Sequence, residues 1–315
     1  MFRVGPGGLP EGLSLVEATH WLADNQFRTC ELDFKNRFSF AQDEIEAACA
    51  AAAEHDIVYR AHAPLYAILA MEHDSIGRVN SIVGSLTHSM KVVGALGGIG
   101  ITTHPGFLKG LEREERIGFA RLNGEKLRGK LEAAGYPQMR LGVENMAHGP
   151  DLGGLDDILA ICEGSEFLRP VIDWGHYQAH SDGGLRDSAA YLAVLDRIEE
   201  VLGRQALEET SYQYSAIEYK DNRERKHLPY EQGDMDFGHL LEALAAKGLG
   251  DAFIVSESPV LEDALLFREM AAEFERSAGP APGTVAPDEL YRHARELGLS
   301  TPDESVDMIW EDRER

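Results

Sequence analysis

His62, His104, Glu144, Asp173 and Glu257 are the residues in this chain whose types and placement could do chemistry together. Each closes a short apolar, β-rich run: IVYRAH, GITTH, LGVEN, PVIDW and FIVSE. Such runs, buried on both faces, should be apolar throughout, so a metal-ligand side chain at the end of each is out of place. A lone strand-end histidine is an ordinary structural residue. Three carboxylates brought close to two histidines would repel one another unless protonated or bound to a cation. Mixed imidazole and carboxylate ligation suits zinc or manganese, whereas an all-oxygen set would suit magnesium or calcium. His176, three residues after Asp173 in DWGH, and His227, in ERKHLPYEQGD, a polar stretch expected as a long loop after the seventh strand, belong to the same picture.

The elements that must position these residues are eight β-rich runs, FRVG, CELDF, IVYRAH, GITTH, LGVEN, PVIDW, YQYSAI and FIVSE, alternating with helical stretches. In 79–96, Ile82, Leu86, Met90 and Val93 recur at three- and four-residue spacing and give one apolar stripe, with Asp74 or Ser75 as cap. Helices are also expected over 41–55, 111–134, 187–203, 236–248 and 261–277. Strand-helix-strand order requires a parallel sheet, and eight repeats predict a (β/α)₈ barrel whose active site lies at the carboxyl ends of the strands. The glycines of GALGGIG (94–100) follow a helix and precede a strand, the wrong order for a dinucleotide site, and mark a helix stop.

The barrel is expected over 1–277, followed by a linker over 278–287, rich in Pro, Gly and Ala, and a helical, acidic appendage over 288–315. The net charge is -24, from 54 acidic residues against 22 Arg and 8 Lys, which counts against broad nucleic-acid binding unless a local basic patch exists. Cys30, Cys49 and Cys162 form no CxxC pair and read as buried thiols. The start MFRVGPGGLP lacks the regions of a signal peptide and no run is long enough for a membrane span, which predicts a cytoplasmic protein, taken as monomeric.

Lined up in order, GPGGLP (5–10), HAP (62–64), THPG (103–106), GVEN (142–145), DWGH (173–176), IEY (217–219), KHLPYEQGDMDF (226–237) and SESPVLEDAL (256–265) resemble the endonuclease IV family of apurinic/apyrimidinic (AP) endonucleases, in its archaeal-type branch. That family lies in the xylose isomerase-like TIM barrel superfamily. The resemblance implies a zinc-dependent hydrolase with up to three Zn²⁺, cleaving DNA at abasic sites in DNA repair. It implies that His62 and His104 hold one metal, that Glu144 bridges it to a second bound by Asp173 and Glu257, and that His176 and His227 hold the third. Glu144 and Glu257 are the implied catalytic carboxylates, and Lys35, Arg37 and Tyr66 the implied substrate contacts.

The chain departs from that pattern in three places. It offers Gln213 in SYQYS where the family has a metal-binding histidine. Arg225, with Glu224 beside it, stands where the family has an aspartate two residues before His227. Leu65, followed by Tyr66, stands where the family has a tyrosine. These departures open a second enzymatic expectation, a sugar isomerase or epimerase holding one Mn²⁺ or Mg²⁺ on Glu144, Asp173, Gln213 and Glu257, with a small sugar as substrate. A barrel that has lost part of its cluster and only binds its ligand is the third.

Overall fold

Barrel closure depends on a glycine. At Gly5 a Cβ would sit 1.7 Å from the Thr29 carbonyl oxygen, so only glycine lets the first strand approach the second. The computed structural model describes residues 1–34, 40–71, 76–147 and 152–278. Lys35, Arg37, Asp74, Ser75, His148, most of the expected linker and the whole 288–315 segment lie outside the described residues.

In chain order the elements are β1 (Arg3–Pro6), α1 (Leu15–Asp24), β2 (Thr29–Asp33), α2 (Gln42–Glu54), β3 (Val58–His62), α3 (Ile76–Ala95), β4 (Gly100–Thr103), α4 (Arg113–Ala133), β5 (Arg140–Glu144), α5 (Leu155–Cys162), β6 (Leu168–Asp173), α6 (Trp174–His180), α7 (Ser188–Leu202), α8 (Arg204–Glu208), β7 (Ser211–Tyr214), β8 (Ala216–Lys220), β9 (Arg223–Leu228), α9 (Phe237–Ala246), β10 (Phe253–Ser256) and α10 (Leu261–Ala278). Eight parallel strands run in the order β1-β10-β7-β6-β5-β4-β3-β2. A bridge from Gly7 to Glu31 joins the two ends of that order, so the (β/α)₈ barrel is nearly closed. Residues Met1–Ala272 form one compact unit, and a second, Glu273–Arg315, is described only over the last turns of α10.

The six expected helices correspond to α2, α3, α4, α7, α9 and α10, and Ile82, Leu86, Met90 and Val93 of α3 are all buried. The glycine run is a helix stop: Gly97 has φ +76° and Gly98 donates its N–H back to the Val93 carbonyl at 2.8 Å. All three cysteines are free, with Cys30 and Cys162 buried and Cys49 partly so. Among the described residues no helix is long and apolar enough to cross a membrane.

The region after the seventh barrel strand corrects the sequence reading in two ways. YQYSAI is not one strand. Barrel pairing ends at Tyr214, and the chain then leaves to form β8, which pairs antiparallel with β9. The first part of the polar stretch expected as a loop, residues 224–228, is therefore the return strand of a hairpin, turned by Asp221 and Asn222 at φ +56° and +59°, as a two-residue type I′ turn requires. Its charges gave no strand signal because most of the ribbon faces solvent. Ile217 and Tyr219 pack on Ala147 and Ala179, and Glu224 donates its N–H to the Ala147 carbonyl at 2.8 Å, which ties the ribbon to the barrel mouth.

Candidate metal centre

Parallel pairing places the five strand-end residues on one face. His62 ends β3 and Glu144 ends β5, His104 follows β4 directly, Asp173 ends β6, and Glu257 follows β10 directly. Glu144, 1% exposed, is the hub. Its Oε2 lies 3.1 Å from His62 Nε2 and 3.4 Å from His104 Nε2, and its Oε1 lies 3.2 Å from His176 Nδ1. The His62 and His104 rings meet edge-on at 5.0 Å.

The second half of the cluster starts from the cap of α6. Asp173 Oδ1 accepts the N–H of His176 at 2.8 Å, which winds the first turn and turns the His176 ring into the site. Asn145 pins Asp173 from behind, donating Nδ2 to its carbonyl at 2.9 Å and accepting its N–H at 2.8 Å. His227 comes from β9, its ring 5.5 Å from that of His176 and at 89° to it. His227 Nδ1 is 2.8 Å from Ser215 Oγ and 3.1 Å from the Glu257 carbonyl, so Nε2 is the atom turned toward the cluster.

Glu224 completes this half. Its Oε2 is 3.1 Å from His176 Nε2 and its Oε1 is 3.4 Å from His227 Nε2. Strict strand alternation would put residues three apart on opposite faces. The hairpin register slips between Glu218 and Tyr219: Glu218 pairs with Lys226 and Tyr219 with Glu224, so Arg225 is the extra residue of a bulge. Because Ile217 faces His227 and Tyr219 faces Glu224, the bulge returns Glu224 to the face of His227 and leaves Arg225 exposed.

The protonation pattern of the cluster follows from its own charges. Burial opposes ionisation of Glu144, but His104, His176 and His62 outweigh it and hold the carboxyl well below the usual range. Burial would likewise neutralise the imidazoles. Yet Glu144 drives His62 up to about 10, Asp173, Glu144 and Glu224 raise His176, and Glu224 with Asp173 drives His227 up to about 9. Glu224 is lowered by His176 and His227 against its own burial. Glu257 goes the other way: burial, then the charges of Glu144 and Asp173, push it up to about 7.

Divalent ions fit these donors. His62, His104 and Glu144 present ligand atoms within 4.8 Å of one another, as do Asp173, His176 and His227. Asp173 Oδ2 and Gln213 Oε1 are buried with no hydrogen-bond partner, a costly state that a bound cation would relieve.

The chain matches the Xylose isomerase-like TIM barrel family over residues 20–276. It belongs to that family. An uncharacterized protein of Methanocaldococcus jannaschii is 30% identical over 214 residues, 67% of this chain and 76% of that one. Among solved structures, endonuclease IV from Thermus thermophilus superposes with a TM-score of 0.63 at 18% identity, covering 87% of this chain and 97% of the other. A D-tagatose 3-epimerase-like protein superposes with a TM-score of 0.64, also at 18% identity, covering 83% and 94%. The xylose isomerase-like barrel therefore accommodates both endonucleases and epimerases, and the likeness to each is one of fold.

Of the residues singled out from sequence, His62, His104, Glu144, Asp173, His176 and His227 converge, and Gln213 and Glu257 adjoin each other, with Gln213 Nε2 donating to Glu257 Oε1 at 2.7 Å. Tyr66 does not join them. It lies on the turn after β3, 62% exposed, with its hydroxyl 3.3 Å from Ser85 Oγ on α3. Two functional candidates were missed. Glu224 was displaced by the bulge. Glu31, 2% exposed in the middle of β2, had one signal, a carboxylate inside the apolar run CELDF.

Glu224→Gln keeps the shape but removes the charge shared by His176 and His227. Metal analysis after dialysis is expected to show roughly one ion fewer per chain, with the ion at His62 and His104 retained. Unchanged stoichiometry would remove Glu224 from the ligand set.

Proposed function

We propose that this protein is a metal-dependent phosphodiester hydrolase that nicks DNA at abasic sites, using up to three zinc ions. The observation that carries the proposal is Glu224: placed by the bulge between His176 and His227, it supplies the carboxylate that the resemblance seeks two residues before His227. Glu144 then joins two ligand groups instead of serving one. His62 and His104 would hold one ion, Asp173 and Glu257 with Glu144 a second, and His176, His227 and Glu224 a third.

Bound there, the cations would neutralise phosphoryl oxygens and make a water acidic. The chain's own residues do the rest. Asn145 fixes Asp173, and the Ala63 carbonyl, 2.7 Å from His62 Nδ1, fixes the imidazole so that Nε2 faces the cluster. Leu65, Tyr66 and Phe107, exposed on the segments following β3 and β4, give the mouth an apolar edge suited to the flat faces of a base or sugar. Arg223, Arg225 and Lys226 are exposed on the hairpin and would offer the local positive charge that a chain of net charge -24 needs toward a phosphate backbone.

A duplex carrying one abasic analogue is expected to be nicked at that site by zinc-loaded protein, to stay intact with chelator, and to be cut more slowly as salt rises. A duplex left intact by fully loaded protein at every salt concentration rejects the nuclease reading. The competing reading, a sugar epimerase with one Mn²⁺ or Mg²⁺, is favoured by one observation. Glu144, Asp173, Gln213 and Glu257 stand at or within one residue of the ends of β5, β6, β7 and β10, four neighbours in the barrel. It gives no work to His104, His176, His227 and Glu224. About one manganese per chain with turnover of a free ketose would establish it, whereas near three zinc ions supports the hydrolase.

A further inference from the structure

A further carboxylate, Glu31, lies inside the barrel beside the ligand residues. Its Oε2 accepts the Thr102 hydroxyl of β4 at 2.7 Å, and its Oε1 accepts Gln213 Nε2 of β7 at 2.8 Å. The same Gln213 nitrogen donates to Glu257 Oε1 at 2.7 Å. β2 and β7 are not neighbours in the strand order, so these two bonds cross the barrel interior from Glu31 through one amide to Glu257.

A primary amide has two N–H groups and one carbonyl. Both N–H groups of Gln213 are committed to carboxylates, and turning the amide over would set its carbonyl oxygen against two carboxylate oxygens. Its orientation is therefore fixed, and the atom left over is Oε1, buried and without a hydrogen-bond partner. Of the two ends of this side chain only the oxygen can bind a cation. Donation of both N–H groups to carboxylates also shifts electron density through the amide onto that oxygen.

We propose that Glu31 is a positioning residue of the metal centre: it fixes and polarises the Gln213 amide so that Oε1 serves as a ligand where an imidazole is expected. This rests on the metal-centre reading above. It accounts for a buried carboxylate in mid-strand, for the glutamine, and for the unpartnered oxygen with one arrangement. The competing account is structural. Glu31 pairs in register with Arg60, a buried cation whose charge it offsets.

Metal affinity and metal-free stability separate the two. Glu31→Gln in the full chain, titrated with zinc against a chromophoric chelator, is expected to bind its weakest ion about 10–100-fold less tightly, the range for loss of an outer partner of a ligand. Thr102→Val, which keeps the Glu31 charge but releases Oε2, is expected to fall between wild type and Glu31→Gln. In a Gln213→Ala background Glu31→Gln should add no further loss, because the effect runs through the amide.

Wild-type affinity in Glu31→Gln, measured on protein whose circular dichroism matches wild type, overturns the proposal and leaves the metal centre standing. Loss of affinity that persists in the Gln213→Ala background, or that merely follows a lowered melting temperature of metal-free protein, assigns Glu31 to Arg60 instead. If wild-type protein takes up no divalent ion, the metal-centre reading falls and this proposal with it.

Discussion

Glu144→Gln is expected to strip both halves of the centre of metal and to abolish metal-dependent activity. Its two oxygens lie within 3.4 Å of three imidazoles, from β3, the segment after β4 and the first turn of α6. A neutral amide of the same shape keeps the packing but offers only one acceptor oxygen and no charge. Loss of a partner outside the ligand shell typically lowers metal affinity about 10–100-fold, and loss of a shared ligand should exceed that. Elemental analysis after dialysis checks the outcome, with circular dichroism as the test of folding. A folded Glu144→Gln protein that keeps its full metal complement would show that the hub has been misplaced. Glu257→Gln, which removes the charge at the end of the Gln213 amide, is expected to eliminate activity under either enzymatic reading. Retained activity there would move the site elsewhere.

The five strand-end residues could be read from sequence because parallel barrel strands are buried on both faces, so a polar side chain at the end of an apolar run has few structural explanations. His176 was legible for a related reason. It stands three residues past Asp173, and Asp173 is the cap that begins α6. Glu224 was not, because its place depends on a register slip that inserts Arg225, and strand periodicity alone carries no such slip. The hairpin itself was hidden for the same physical reason that makes it useful: an exposed two-stranded ribbon tolerates charge, so ERKHL gave no apolar alternation to find. Glu31 sits where barrel strands turn side chains inward, and nothing local distinguishes an inward carboxylate from one on the helix side. Gln213 was read as a candidate ligand. That its nitrogen would be held by two carboxylates from opposite sides of the barrel is long-range information, joining residues 182 positions apart.

Metal uptake is expected to expel protons and to grow steeply with pH. In the metal-free protein the charges of Glu144, Asp173 and Glu224 keep His62, His176 and His227 protonated well above the ordinary 6.5, His62 to about 10 and His227 to about 9. A cation must displace those protons before it can bind the imidazole nitrogens. Between pH 6.5 and 8.5, displacement of the His62 proton should by itself raise affinity at its group about tenfold per pH unit, and displacement of the His176 and His227 protons should raise it about a hundredfold at theirs. Calorimetric titration in buffers of different ionisation enthalpy counts the protons directly. Stoichiometric zinc uptake at pH 7.5 without proton release would contradict the charge pattern. The stability of the metal-free protein must follow the same signs. The raised histidines contribute fully below 6.5, and that contribution is lost as pH rises through about 9 and 10. The lowered carboxyls of Glu144 and Glu224 contribute above 4.5, and lose it as pH falls through their depressed values. Glu257, raised to about 7, subtracts stability as pH climbs from 4.5 to 7. The melting temperature of metal-free protein should therefore peak at about pH 5 and decline toward pH 9, while saturating zinc should move that optimum upward, because the cations replace the protons that alkali removes.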